Sequence, residues 1–310
     1  TNEKIEEWIL SADGRSFWMR NGFSLIRCYY RRNYTAEMMK RCGIEIKLIM
    51  SDIDGTLLTS ENNLLPSTEK AVRKIIDDRK CAFTLSTGRS IIYTDPLVEY
   101  LNIQTPFAFS GGAIIDPRES RVLFAPVIEL EQIEKTVVIA EKYNVGILAH
   151  TANGMFCQVN DKDWLTIRSL EWMIGRQDTF PKRIEDIGNE VPNEIIRLDL
   201  FAEVNWLSKV WEEVNLKVEK VNVIKMSRSI EITDKEMDKG SAIRRISKFL
   251  GIPLKNTMAI GDSLNDVSLL EAAGFGVAME TAPECLKDMA DALVPSSDEG
   301  GLEKALQMIA

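Results

Sequence analysis

Apolar positions follow neither a helical nor an alternating period through residues 1–43, but from Ile44 onward they fall into short buried runs and amphipathic stretches. Ile46-Lys-Leu-Ile-Met50 has the near-continuous apolar character of a strand covered on both faces, and it ends in Ser51-Asp-Ile-Asp-Gly-Thr56. Ala71, Val72, Ile75 and Ile76 share one helical face and predict a helix from Pro66 to Lys80, capped near Ser67. Cys81–Leu85 is a second strand running into Ser86-Thr-Gly-Arg89. Phe107-Ala-Phe109 leads into a turn, Ser110-Gly-Gly-Ala113.

A different unit spans about Pro126 to Val223. It predicts helices at Glu129–Tyr143, Asp161–Arg176 and Asn205–Val218, with strands at Gly146–His150, Met155–Val159, Glu194–Phe201 and Val221–Met226. That is enough for a layer of sheet and helices of its own. The first style then returns: a strand at Ser229–Thr233, a helix from Gly240 to Leu250 stopped by Gly251 and Pro253, and a buried strand at Thr257–Ile260 running into Gly261-Asp-Ser-Leu-Asn-Asp266. Strands at Phe275–Met279 and Ala292–Val294, with helices after Thr281 and Glu299, close the chain. The simplest account is an α/β core over 44–125 and 225–310, interrupted by an α/β insertion over 126–224.

Charge separates the leader from the rest. Residues 1–43 hold 8 Lys and Arg against 5 Asp and Glu together with seven aromatics, whereas the remaining 267 residues hold 30 against 42. A basic, aromatic leader could be a partner-binding or membrane-surface arm. The expectation is the plainer one, a poorly ordered or peripheral extension that includes residues upstream of a natural start at Met38 or Met39. The acidic core gives no electrostatic footprint for nucleic acid or anionic membrane, so an anionic ligand would need a metal ion, helix N-termini or a few placed cations. His150 is the one histidine of the 310 residues, which excludes zinc hydrolases built on several imidazoles and His-rich di-metal phosphatases. The five scattered cysteines form no metal spacing and no disulfide framework. With an acidic N-terminus and no long apolar run, they point to the cytoplasm.

The remaining acidic residues sit where chemistry would be. Ligands bind beyond the carboxyl ends of strands in open parallel sheets. Three predicted strands end there in polar residues: Asp52 with Asp54, Thr87, and Asp262 with Asp266. Each motif alone reads as a turn or cap. Together they mass four carboxylates, which repel one another unless a cation joins them. Oxygen donors without His or Cys suit a hard ion, Mg2+ best.

Asp52-x-Asp54-Gly-Thr-Leu57, Ser86-Thr-Gly-Arg89, Asp238-Lys-Gly240 and Gly261-Asp-x-x-Asn-Asp266 resemble the four motifs of the haloacid dehalogenase (HAD) superfamily of phosphatases. Their order, with an insertion of about 100 residues between the second and third, resembles the Cof-type subfamily with its α/β (type IIB) cap. The resemblance covers about residues 44–310 and implies a Rossmann-like core with a parallel sheet plus the inserted cap. It implies Asp52 as nucleophile forming an aspartyl-phosphate, Asp54 as general acid–base, and Thr87 and Lys239 on the transferring phosphoryl group. Asp52, Asp54, Asp262 and Asp266 would hold Mg2+. Gly88, Arg89, Gly111, Gly112 and Asn265 would join Thr87 and Lys239 in binding substrate or phosphate. The partner implied is a small phosphorylated metabolite; self-association is not legible.

Two departures limit what can be transferred. The family usually carries Asn where this chain has Gly111, and often reads Gly-Asn-Ala where this chain has Glu280-Thr-Ala282. Candidates to line the cap side are His150, Met155, Phe156, Trp164 and Trp172, each expected first as cap core, while Lys162, Arg168 and Arg176 are expected as solvated helix residues. The expected activity is hydrolysis of a small phosphate monoester (sugar phosphate, phosphorylated cofactor or nucleotide). Competing with it are a phosphomutase or phosphotransferase of the same chemistry, a phospho-Asp signalling module and a non-catalytic phosphate-binding protein.

Overall fold

A computed structural model describes residues 43–158, 181–191, 193–201, 204–226 and 229–309. The leader up to residue 42, the predicted helix 161–176, and with it Lys162, Trp164, Arg168, Trp172 and Arg176, lie outside the described residues.

Strand β1 (Leu48–Ser51) is central to a five-stranded parallel sheet. It pairs with β2 (Ala82–Leu85) on one side and β12 (Thr257–Gly261) on the other; β13 (Phe275–Met279) and β14 (Ala292–Val294) extend it beyond β12. Alternate residues of β1 explain its apolar run. Ile49 packs with Phe83, Leu85 and Val72 on one face, and Leu48 and Met50 pack with Ile243, Ala259 and Leu269 on the other. The helices covering these faces include α1 (Pro66–Asp78) on the first and, on the second, α6 (Lys239–Phe249) and α7 (Val267–Ala272).

Helix α1 starts without the predicted cap. Its N-cap is Leu65, with no side-chain hydrogen bond, and Pro66 supplies the helical φ at the first position instead of Ser67. It also ends before Lys80, because Arg79 adopts the left-handed conformation at φ 51°. Two further elements escaped the apolar pattern. Helix α2 (Ile91–Tyr100) carries Pro96 inside it, and Pro reads as a breaker. A hairpin, β4 (Ala113–Asp116) with β5 (Arg121–Phe124), pairs with β3 (Phe107–Phe109) as a small antiparallel sheet joined to the end of β2 through the Ser86–Ala108 bridge.

The second sheet has six strands in the order β10–β11–β9–β6–β7–β8. They are β6 (Gly146–Thr151), β7 (Met155–Gln158), β8 (Lys182–Arg183), β9 (Ile195–Phe201), β10 (Val221–Lys225) and β11 (Ser229–Asp234). All pairings are antiparallel except β7 with β8. Strand β11 corrects the expected boundary at 224/225. It forms a hairpin with β10 and lies beside β9, so the chain leaves this sheet only after Asp234. The pattern of Ser229–Thr233 shows a strand, but its neighbours are chosen by the tight return from β10.

The sheet has two unlike faces, as period-2 alternation dictates. Ile147, Ala149, Leu198, Leu200, Ile230 and Ile232 form one core with residues of α3 (Leu130–Tyr143), α4 (Ile187–Glu190) and α5 (Val204–Lys217), including Ile133, Ile187, Val210 and Val214. The intervening residues His150, Arg197, Asp199, Glu231 and Thr233 are also buried, although polar. Leu148, Met155 and Cys157 pack with Phe201 and with Ile92 and Tyr93 of α2, an apolar contact between the second sheet and the helix that follows the β2 loop.

Candidate active site

The site starts at the end of β1. The Asp52 amide donates to the Ile260 carbonyl at 2.9 Å, so the β1–β12 ladder fixes the residue at the carboxyl edge of the sheet, where it is 4% exposed. Gly55 then turns the chain at φ 77°, and a β-carbon on it would collide with the Asp262 carboxylate. Thr56 Oγ1 donates to Asp262 Oδ1 at 3.1 Å, joining the first and last motifs directly.

Beyond β12 the backbone N–H groups of Asp262 and Ser263 both donate to Asp266 Oδ2 at 3.0 Å. The other oxygen of Asp266 faces Lys239. That lysine opens α6, whose N-cap Asp238 forms a capping box with Ser241. A cation at a helix N-terminus is unfavourable on its own. Here Lys239 is buried and its Nζ donates to Asp52 Oδ1 and to Asp266 Oδ1, each at 2.6 Å. Burial alone would depress the ammonium, but Asp266 and Asp52 reverse this and hold it charged, above its ordinary range.

Asp52, Asp262 and Asp266 can present one oxygen each within 4.8 Å of one another, a group able to hold a metal ion. Three carboxylates against one ammonium leave two negative charges. Burial pushes Asp52 upward; Lys239 pulls it back, Asp266, Asp262 and Asp54 push it further, and it ends well above the usual carboxylate range. Burial, with Asp266 next, brings Asp262 up to about 6. An all-oxygen set with this charge excess fits a small hard divalent cation.

Asp54, expected among the metal ligands, lies outside that trio with its carboxylate on Arg89. Arg89 Nε donates to Asp54 Oδ2 at 2.9 Å and Arg89 Nη2 to Oδ1, a bidentate pair that turns the carboxylate towards the Ser-Thr-Gly-Arg loop. Arg89, expected on phosphate, is therefore committed to Asp54 and to Asn62 Oδ1 at 3.1 Å.

Thr87 is buried beside β1, just past the end of β2, and its Oγ1 accepts from the Arg89 N–H at 3.1 Å. This is the local capping role that its position allows. The Gly111 N–H donates to the Thr87 carbonyl at 2.9 Å and the Gly112 N–H to Phe109 at 3.0 Å, so both amides expected on phosphate are engaged inside the turn. Asn265 Oδ1 accepts from Ser263 Oγ at 2.7 Å within the last motif.

Of one further group the sequence singled out His150 but not Arg197, Asp199 or Glu231. Arg197 Nε donates to Asp199 Oδ1 at 2.8 Å, Arg197 Nη2 to Asp199 Oδ2 at 3.1 Å, and Nη2 also pairs with Glu231 at 3.0 Å. His150 lies between Asp199 (Nε2 to Oδ2, 2.9 Å) and Ser110 (Nδ1 to Oγ, 3.2 Å), and is more than plain cap core. Met155 is buried in the contact with α2, and Phe156 packs partly buried on the apolar face of the second sheet. The available signal was Arg197-x-Asp199 inside an otherwise apolar strand. Spacing alone could not say what the two residues face.

With this geometry in place, comparison with known proteins adds an independent line. Residues 49–306 match the family of haloacid dehalogenase-like hydrolases. The chain is 27% identical over 274 residues to the 5-amino-6-(5-phospho-D-ribitylamino)uracil phosphatase YcsE of Bacillus subtilis, covering 87% of this chain and 98% of that one. A solved haloacid dehalogenase-like hydrolase from B. subtilis superposes with a TM-score of 0.76 at 28% identity, covering 86% of this chain and all of that one. The HAD subclass IIB sugar phosphatase BT4131 shares the fold with a TM-score of 0.72 at 22% identity, over 84% of this chain and 98% of that one.

Proposed function

Because the chain belongs to the haloacid dehalogenase-like hydrolase family, matched over residues 49–306, we propose that it is a Mg2+-dependent phosphatase of small phosphate monoesters. The observation that carries this reading is the buried Lys239–Asp52 pair inside a carboxylate trio. A carboxylate can attack a phosphate dianion only where cations offset the repulsion, and this arrangement supplies one and has the charge for another. Asp52, Asp262 and Asp266 would hold the metal ion, which when bound neutralises charge on the phosphoryl oxygens.

In the first displacement an Asp52 oxygen bonds to phosphorus as the bond to the alcohol oxygen breaks, and Asp54 gives that oxygen its proton. In the second, water attacks phosphorus, its proton passes to Asp54, and the Asp52–phosphorus bond breaks to release inorganic phosphate. Asp54 must loosen from Arg89 to exchange protons, so that ion pair is a natural gate on both steps. Thr87 would meet the phosphoryl group beside Lys239. We place the enzyme in the cytoplasm: Cys81, Cys157 and Cys285 are free thiols, and no helix among the described residues is long and apolar enough to cross a membrane.

The test is phosphate release from an aryl phosphate with and without Mg2+, by the wild type and Asp52→Asn. A panel of sugar phosphates, phosphorylated cofactors, nucleotides and 5-amino-6-(5-phospho-D-ribitylamino)uracil follows. Mg2+-dependent release that Asp52→Asn abolishes is expected. A wild type that releases no phosphate from any of them would overturn the reading.

A further inference from the structure

The polar face of the second sheet is held against the first by a buried charge network that phosphoryl transfer as described above does not use. Arg197 on β9 places Nε and one terminal nitrogen on Asp199, and shares the latter with Glu231 of β11. Its other terminal nitrogen, Nη1, crosses to the first sheet and donates to the Gly88 carbonyl at 3.1 Å. His150 on β6 crosses in the same direction to the Ser110 hydroxyl, anchored behind by Asp199.

The two points gripped are already tied together. The Ser110 N–H donates to the Arg89 carbonyl at 2.7 Å, Gly111 N–H to Thr87 at 2.9 Å, and Thr87 N–H to Ala108 at 3.1 Å. Both grips therefore fall on one hydrogen-bonded pair of loops, on either side of Thr87. The fit is close. A β-carbon at Gly88 would stand 2.9 Å from Arg197 Nη1, and one at Gly111 would stand 3.5 Å from it. Well-packed apolar side chains would join two sheets at less desolvation cost than four ionisable groups. What the polar network adds is a fixed geometry, since a planar guanidinium engaged on three sides has one orientation.

We propose that Arg197 and His150 are positioning residues for phosphoryl transfer, clasping the second sheet onto the Gly88 carbonyl and the Ser110 hydroxyl so that Thr87 is held beside Asp52. Asp199 is the shared anchor and Glu231 orients the guanidinium. The clasp rests on the phosphatase reading of Asp52.

The experiment compares the full chain with Arg197→Lys, which keeps the charge between Asp199 and Glu231 but cannot also reach Gly88. His150→Ala and His150→Gln are the second pair, the glutamine amide being able to bridge Ser110 and Asp199. Hydrogen exchange is followed over 86–112, and kcat and KM are measured on an aryl phosphate with Mg2+. Arg197→Lys and His150→Ala are expected to speed exchange selectively in 86–112 and to lower kcat about tenfold or more with little change in KM, and His150→Gln to restore most of it. Unchanged exchange in 86–112 overturns the clasp. So does exchange rising equally throughout 146–201, which marks a brace of the second sheet alone. A wild type without activity overturns the phosphatase reading instead, and the exchange pattern distinguishes that failure from failure of the clasp.

Discussion

Lys239 and Asp52, 187 residues apart in the chain, meet at 2.6 Å at the carboxyl edge of the parallel sheet. The same ammonium reaches Asp266 at 2.6 Å. It thus bridges the carboxylate that ends β1 and the one beyond β12 that is itself pinned by two backbone N–H groups. One side chain orients the Asp52 carboxylate, lowers the field at it, and closes one side of the carboxylate trio.

Lys239→Met should therefore do more than lower activity. Breaking a buried pair from one side costs about 3–5 kcal/mol, because the remaining charges are left uncompensated. A divalent ion can compensate in its place. Thermal unfolding of the variant without metal should fall well below wild type, and Mg2+ should raise its Tm by more than it raises that of the wild type. Phosphate release should drop about 10²–10³-fold even at saturating Mg2+.

Asp52→Asn should lose phosphate release and yet not lose stability without metal. Burial outweighs the help from Lys239 and keeps the Asp52 carboxyl above its ordinary range, so ionising it at neutral pH opposes folding. A neutral amide can still accept from Lys239. The expected result is a Tm without metal equal to or above wild type, measured at pH 7. A large fall would show that the Asp52 charge is needed by the fold.

Asp52 and Asp262 could be read from the sequence because each ends a run of buried apolar positions, and a run that stops in carboxylates is a local signal. Asp52 and Asp262 are recognisable from their own neighbours, and Lys239 from Asp238 and Gly240. The Arg197, Asp199, His150 and Glu231 network has no such local mark. Its members meet because β6 and β9 pair His150 with Arg197 while β9 and β11 pair Asp199 with Glu231, and in both pairings other elements separate the two strands along the chain. The direction in which Asp54 points is likewise not a local property. Its spacing from Asp52 puts it at the same mouth, but its orientation is decided by Arg89, 35 residues away. Helix α2 was hidden by Pro96, and the sheet membership of β11 by an alternation that fixes faces without naming neighbours.

Protons and metal should compete at Asp262. Its carboxyl is brought up to about 6, chiefly by burial and then by Asp266, from the ordinary 3.8. A folded-state pKa above the unfolded one means that the folded state binds the proton more tightly. This contribution to stability is complete below about 3.8 and is lost as pH rises through about 6. Without metal, other carboxylates apart, the Asp262→Asn variant should lose this dependence between pH 4 and 7. With Mg2+ the sign inverts, since the ion needs the ionised form: Mg2+ affinity should fall steeply below about pH 6, read by isothermal titration at a series of pH values.

Gly55 ties backbone conformation to the carboxylate trio. Its φ of 77° lies in the left-handed region, where a side chain costs about 1–2 kcal/mol, and its missing β-carbon leaves the space filled by the Asp262 carboxylate. Gly55→Ala should impose the backbone strain and also push Asp262 off Thr56 Oγ1, the bond that joins the two motifs. The expected outcome is a modest loss of Tm together with a Mg2+ requirement for half-maximal phosphate release raised about tenfold or more. Gly251→Ala is the control. It has φ 69° and open space around the β-carbon position, so it should show the strain in Tm without any change in the Mg2+ requirement. Equal Mg2+ requirements in the two variants would mean that the Asp262 carboxylate yields to the β-carbon without cost to the site.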